Sequence, residues 1–251
     1  MAYTKIKTAR EIEAMRRSGQ ILSDVLQALT AKTVAGESGA SLDAYARKLV
    51  KEAGAKPTIL GYQGFPASIC ISVNDAVVHG IPDNVPFKDG DIVSLDFCVT
   101  YDGMITDAAR TVLVGTSHPE AHKLLVRQTD VALQAGIAEL KGGVRVGDVA
   151  NAIQKELDKA NLGVVRDLVG HGVGHEMHED PNIPNYGHAQ SGPKLEAGMT
   201  IAIEPMATLG GYAVFVDTDG WTIRTRDGSL SAHFEDTVLV TPVGYEVLTR
   251  R

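Results

Sequence analysis

The chain is poor in cysteine, in aromatics and in excess positive charge, and each shortage excludes something. Two cysteines, Cys70 and Cys98, are too few for a disulfide framework, so both are expected as reduced, buried thiols of a cytoplasmic protein. No stretch approaches the roughly 20 apolar residues needed to cross a bilayer, so no membrane partner is expected. The start, MAYTKIKTAREIEAMRRSG, lacks the apolar segment of a secretory leader. Lys and Arg number 24 against 31 Asp and Glu, a net charge of -7. With no surplus of cations for phosphates, no specific nucleic acid is expected as a partner. The remaining composition, 44% hydrophobic and 22% charged over 251 residues, is that of a globular protein with a substantial core, and one domain over residues 1–251 is expected.

What is present is an order of elements that occurs twice. Thr8 and Glu11 form a capping box ahead of Ile12, Met15, Ile21, Leu22, Val25, Leu26 and Leu29, which predicts an amphipathic helix to about Thr33. Ser41 is expected to cap a second helix that stops near Gly54. Ser68 to Val73 reads as a strand, VVHGIPDNVPFKDGD as irregular chain, and the residues around Asp102-Gly103 as a hairpin. Ser117 and Glu120 are expected to box the start of a helix to about Leu140, followed by another from about Asp148 to Asn161, then strands and turns. Helix, helix, strands, repeated, points to two related αβ halves that share a pattern without residue-level identity.

The hairpin carries two aspartates. If Asp102-Gly103 is a two-residue turn, Tyr101 pairs with Met104, Cys98 with Asp107 and Asp96 with Ala109. Asp96 and Asp107 then lie diagonally on one face, whereas one more loop residue would reverse the parity. Solvated strand residues are the bland alternative. Aspartate is disfavoured within strands, however, and a buried carboxylate needs a cation or hydrogen bonds.

Three more candidate ligands follow: His171 in GHGVGHEMHEDP, Glu204 in AIEPM and Glu235 in HFEDTVLVT. Four carboxylates and one imidazole suit a pair of hard or borderline divalent cations, with oxygens to bridge them. Such a pair can hold a hydroxide at neutral pH while polarising a carbonyl. The glycines at 170, 172 and 174 do not have the spacing of a dinucleotide fingerprint, and His175-Glu176-Met177-His178 is one residue short of a helical zinc motif. His175 is expected as a loop or packing residue. Pro205 suggests that the strand bearing Glu204 lies at an edge or bulge.

In the joint order and spacing of these phrases the chain resembles the type I methionine aminopeptidases of short bacterial form, within the pita-bread metallopeptidases, over essentially its whole length. The resemblance implies an α+β pita-bread fold, two pseudo-symmetric αβ halves with antiparallel sheet around a central dinuclear metal site. It implies that Asp96 chelates one metal, that Asp107 and Glu235 bridge both, and that His171 with Glu204 completes the second. Catalytic roles fall to His79, in VVHGIPD, near the scissile amide, to His178 as donor to the carbonyl oxygen, and to Glu204 as proton shuttle. Tyr62, Phe65, Cys70, Met177 and Trp221 would line a pocket for the methionine side chain. Family members often carry tyrosine where Phe65 stands and an aromatic where Met177 stands. The implied activity is removal of the initiator methionine, ahead of a small second residue, by attack of a metal-bridging hydroxide. Two divalent ions per chain (manganese, iron, cobalt or zinc) would serve it, with the N-terminal peptide of nascent chains near the ribosome as partner and a cytoplasmic monomer as the form. Two rivals remain. A proline-directed aminopeptidase or prolidase of the same fold normally carries a further N-terminal domain, for which this chain has no room. A non-catalytic binding protein would be expected to have lost ligands.

Overall fold

A computed structural model describes residues 6–250 in full, together with the backbone of Ala2 and Tyr3. Helix α1 spans Ala9–Lys32 and opens on the expected capping box, with Glu11 N donating to Thr8 Oγ1 at 3.3 Å and Thr8 N to Glu11 Oε2 at 2.7 Å. Helix α2, Gly39–Glu52, begins earlier than expected: its cap is Ser38, whose Oγ accepts from the Ser41 amide at 3.4 Å. Helix α3, Glu120–Ala138, has Pro119 at its cap position and no box with Ser117, whose amide instead faces Asp89 Oδ1 at 3.5 Å. Helix α4 is Val146–Lys159, and Asp148 sits inside its first turn, accepting from the Arg145 amide at 3.0 Å.

The principal sheet runs, side by side, through the strands Glu179–Ile183, Gly170–Gly172, Thr200–Ile203, Glu235–Val240, Met104–Leu113 and Ile92–Tyr101. These neighbours are all antiparallel. Cys70–Val73 adds to the outer side of Ile92–Tyr101. Two helix pairs back the two ends of this sheet. Leu22, Leu26 and Leu42 of α1 and α2 pack on Val93, Leu95, Phe97 and Val99. Leu125, Leu133, Ile153 and Leu157 of α3 and α4 pack on Ile201, Ile203 and Val238. The halves meet where Glu235–Val240 pairs with Thr200–Ile203 on one side and Met104–Leu113 on the other.

The hairpin has the register the Asp-Gly turn predicts: Tyr101 opposite Met104, Cys98 opposite Asp107, Asp96 opposite Ala109. Asp102 at φ 47° and Gly103 at φ 78° both take the left-handed conformation that a tight hairpin of this twist requires. Pro205 marks neither an edge nor a bulge. The strand Thr200–Ile203 is flanked on both sides, and after Glu204-Pro205 the chain leaves it for a second sheet, where Met206–Thr208 pairs with Ser231–His233. Proline cannot donate to a ladder, so it stands at this crossing. Nor is VVHGIPD wholly irregular: Ala76–Val78 is a short strand paired with Ile223–Thr225. Among the described residues no helix is long and apolar enough to cross a membrane.

Candidate metal centre

Strand alternation separates the two faces of Ile92–Tyr101. Val93, Leu95, Phe97 and Val99 go under the helices, which leaves Asp96 and Cys98 for the opposite face. There, one ligating atom each from Asp96, Cys98 and Asp107 lie within 4.8 Å of one another, and the same holds for Asp107, His171 and Glu235. Asp107 is common to both trios. Glu204, at the sheet crossing, places Oε1 3.6 Å from His171 Nε2 and Oε2 3.6 Å from His233 Nε2, which is itself 4.0 Å from Glu235 Oε2.

The electrostatics of this cluster suit a cation. Burial, followed by the charge of Asp107, pushes the Asp96 carboxyl well above the usual range. Burial and then Asp107 do the same to Glu204 and Glu235. Asp107 itself is raised to about 6 by burial, against hydrogen bonds from the Cys98 thiol and the Ala108 amide. Asp107 Oδ1 and Glu235 Oε1 are buried without a hydrogen-bond partner. Burial also lowers His171 to about 3. Its Nδ1 lies 2.9 Å from the Gly172 carbonyl, which can only accept, so the Nε2 lone pair is left facing Glu204. Crowded carboxylates with orphaned oxygens and a neutral imidazole lone pair fit divalent cations. Behind them Arg110 donates to the Glu235 carbonyl at 2.6 Å and to Asp236 Oδ1 at 2.6 Å, fixing the backbone that carries Glu235.

Two cavities adjoin the carboxylates. One, of about 160 Å³, is walled by Ile59, Tyr62, Phe65, Cys70, Met177 and Trp221, with Asp96, Cys98 and Asp107 also on its lining. Phe65 and Trp221 meet edge to face at 5.2 Å, while Tyr62, 37% exposed, stands at the rim. The other, of about 100 Å³, is lined by Val78, Leu168, Val169, His171 and Glu204. His79 and His178 line both. His79 holds a positive φ of 59°, uncommon for a residue with a side chain. The following Gly80 fixes it: its amide donates to Ser72 Oγ at 3.1 Å and its carbonyl accepts from Ile71 N at 2.8 Å, and a Cβ there would lie 2.2 Å from the Ile71 carbonyl oxygen. His178 stacks edge-on to His171 at 4.5 Å, and its Nδ1 is 3.3 Å from the Tyr62 hydroxyl. Burial lowers both His79 and His178, which favours the neutral form of each.

All the residues singled out from the sequence thus converge on one centre. Reading the sequence missed His233, which is 1% exposed with neither ring nitrogen hydrogen-bonded, although its place two residues before Glu235 was a signal. It also passed over Cys98, Leu168 and Val169. His175 is more than a packing residue: its Nε2 is 2.8 Å from Glu11 Oε1, tying the loop of His178 to α1.

Comparison with known proteins agrees. The profile of metallopeptidase family M24 matches residues 13–242. A methionine aminopeptidase of Clostridium perfringens is 46% identical over 244 residues, covering 97% of this chain and 98% of the relative. Methionine aminopeptidase 1 of Bacillus subtilis is 43% identical, over 97% and 98% of the two chains. The crystal structure of a methionine aminopeptidase from Thermotoga maritima superposes with a TM-score of 0.97 at 44% identity, covering 99% of this chain and 100% of the other. A prolidase from Pyrococcus furiosus has a TM-score of 0.76 at 24% identity, covering 98% of this chain and 65% of its own, which shows a shared fold alone.

Proposed function

The chain belongs to metallopeptidase family M24, and from that premise we propose how its centre, in a pita-bread fold, works as a metal-dependent methionine aminopeptidase. The enzyme removes the initiator methionine from proteins and peptides. Asp96 would hold one divalent cation, His171 and Glu204 a second, with Asp107 and Glu235 between them; the membership of Asp107 in both ligand trios supports this division. When bound, such ions supply a nucleophilic water at neutral pH and polarise the scissile carbonyl. Manganese, iron, cobalt and zinc all suit a donor set of oxygens and one imidazole.

The observation that carries the reading is that His79 and His178 line both cavities. The methionine side chain fills the apolar cavity against Phe65, Cys70, Met177 and Trp221, where polarizable walls suit a thioether. The backbone crosses between the two histidines, and the second residue enters the smaller cavity of about 100 Å³, which sets its size limit. When the Tyr62 hydroxyl donates to Nδ1, the neutral His178 ring carries its proton on Nε2, from where it donates to the carbonyl oxygen as negative charge develops there. His79 contacts the scissile amide. Glu204 accepts the proton of the attacking water and delivers it to the leaving amine. The whole chain acts as one domain, as a cytoplasmic monomer, on nascent chains near the ribosome.

The test is release of methionine from Met-Ala-Ser, Met-Lys-Ser and formyl-Met-Ala-Ser, with and without chelator and added metal, beside an X-Pro peptide. Metal-dependent cleavage of the first alone is expected. Comparable kcat/KM for Met-Ala-Ser and Met-Lys-Ser, or preference for X-Pro, overturns the reading.

A further inference from the structure

Cys98 has no place in the donor set assigned above, yet its position is that of a ligand more than of a wall. The hairpin register sets it directly opposite Asp107 and two residues along the same face from Asp96. Its Sγ lies within 4.8 Å of an oxygen of each, and those oxygens lie within the same distance of one another. Cys98 is 3% exposed and Asp107 5% exposed, and Asp107 Oδ1 has no hydrogen-bond partner. The other thiol differs. Both thiols line the apolar cavity, and Cys70 stands opposite Asp96 on the neighbouring strand, but among the described residues Cys70 joins no such trio.

We infer that Cys98 is a sulfur ligand to the cation held by Asp96 and Asp107, so that the centre has one oxygen–sulfur half and one oxygen–nitrogen half. The inference rests on the metal-dependent reading above and deepens it, since a soft donor favours zinc, cobalt or iron over manganese in that half. Cysteine ligates as thiolate, so cation binding releases the thiol proton to solvent. Zinc takes sulfur at about 2.3 Å and carboxylate oxygen at about 2.0–2.2 Å, and the three donors that would hold it already lie within 4.8 Å of one another. The hairpin presents them from one rigidly paired ladder, so no loop has to close.

Cobalt(II) alone is the probe for this ligand. Titrated anaerobically into the metal-free protein, it is expected to give the near-ultraviolet sulfur-to-cobalt charge-transfer band together with the visible bands of bound cobalt. Cys98→Ser should lose the charge-transfer band and keep bound cobalt; Cys70→Ser should keep both. X-ray absorption of the zinc-loaded wild-type protein should show a sulfur neighbour at about 2.3 Å, a measurement that needs no variant to fold. Bound cobalt without the band, with zinc surrounded by nitrogen and oxygen only, overturns the sulfur ligand and leaves the metallopeptidase reading standing. A band lost in Cys70→Ser and kept in Cys98→Ser also overturns it. A protein that binds neither ion overturns both.

Discussion

Lys7 Nζ and Glu179 Oε2, 172 positions apart in sequence, form an ion pair of 2.9 Å with side chains 0% and 2% exposed. The other oxygen of Glu179 accepts from the amides of His175 at 2.7 Å and Glu176 at 3.1 Å. One carboxylate oxygen thus holds Lys7 and the other holds the loop that ends in His178, tying the two together. A pair buried this completely gains little net stability over an apolar replacement. What it contributes is a fixed place for the adjacent imidazole. Lys7→Ala, which leaves Glu179 charged and alone, should lose about 3–5 kcal/mol of stability. Lys7→Met is gentler and should lower kcat with metal content unchanged. Thermal melts and metal analysis check both, and a Lys7→Met protein with wild-type kcat would remove the positioning role.

Asp107 is the residue common to both ligand trios. Asp107→Asn keeps the shape and removes the charge, so it should lose at least one metal and nearly all activity while staying folded. Metal analysis of the purified variant decides this, and full activity with two metals bound would show that Asp107 does not bridge.

His79 and His178 line both cavities, and His178 stacks on His171 without belonging to either trio. Replacing either by alanine should therefore spare the metal and lower kcat, by on the order of 10²–10³-fold for His178 if it serves as an oxyanion donor. Metal loss in His178→Ala would make it a ligand instead.

Hydrogen bonds from His175 and then from Thr8 hold the Glu11 carboxyl at about 2, below its ordinary 4.5. A carboxylate whose folded value is depressed contributes stability that is present above the unfolded value and drains as pH falls through the folded one. The contribution should fade between about pH 4.5 and pH 2, and because Glu11 is 30% exposed it should stay below about 1 kcal/mol. Acid unfolding of Glu11→Gln beside the wild type measures it: the two should differ near neutrality and converge toward pH 2. A constant difference across that range would mean that the bond does not titrate.

The hairpin was legible to the residue because Asp102-Gly103 permits one turn geometry, and a two-residue turn leaves no freedom in register. The capping box of α1 was equally local. Ser117 forms no box because the helix cap falls two residues later, at Pro119, while the Ser117 amide faces Asp89, an arrangement no local pattern displays. His233 and Glu204 meet only because the chain changes sheets at Pro205 and again at Phe234, so their proximity is a property of the crossing rather than of either strand. Which carboxylate serves which cation came from family resemblance, since spacing alone says only that five ligands exist.

The strand Glu235–Val240 lies between Thr200–Ile203 and Met104–Leu113 and carries the last of the ligands. Until it inserts, Asp96 and Asp107 belong to one open edge and His171 and Glu204 to another. The hinge line of the two halves and the reaction centre are one and the same seam. Neither edge alone holds the full donor set, so the centre is complete only when Glu235–Val240 is paired on both sides, and a change that weakens either pairing reaches the ligands directly.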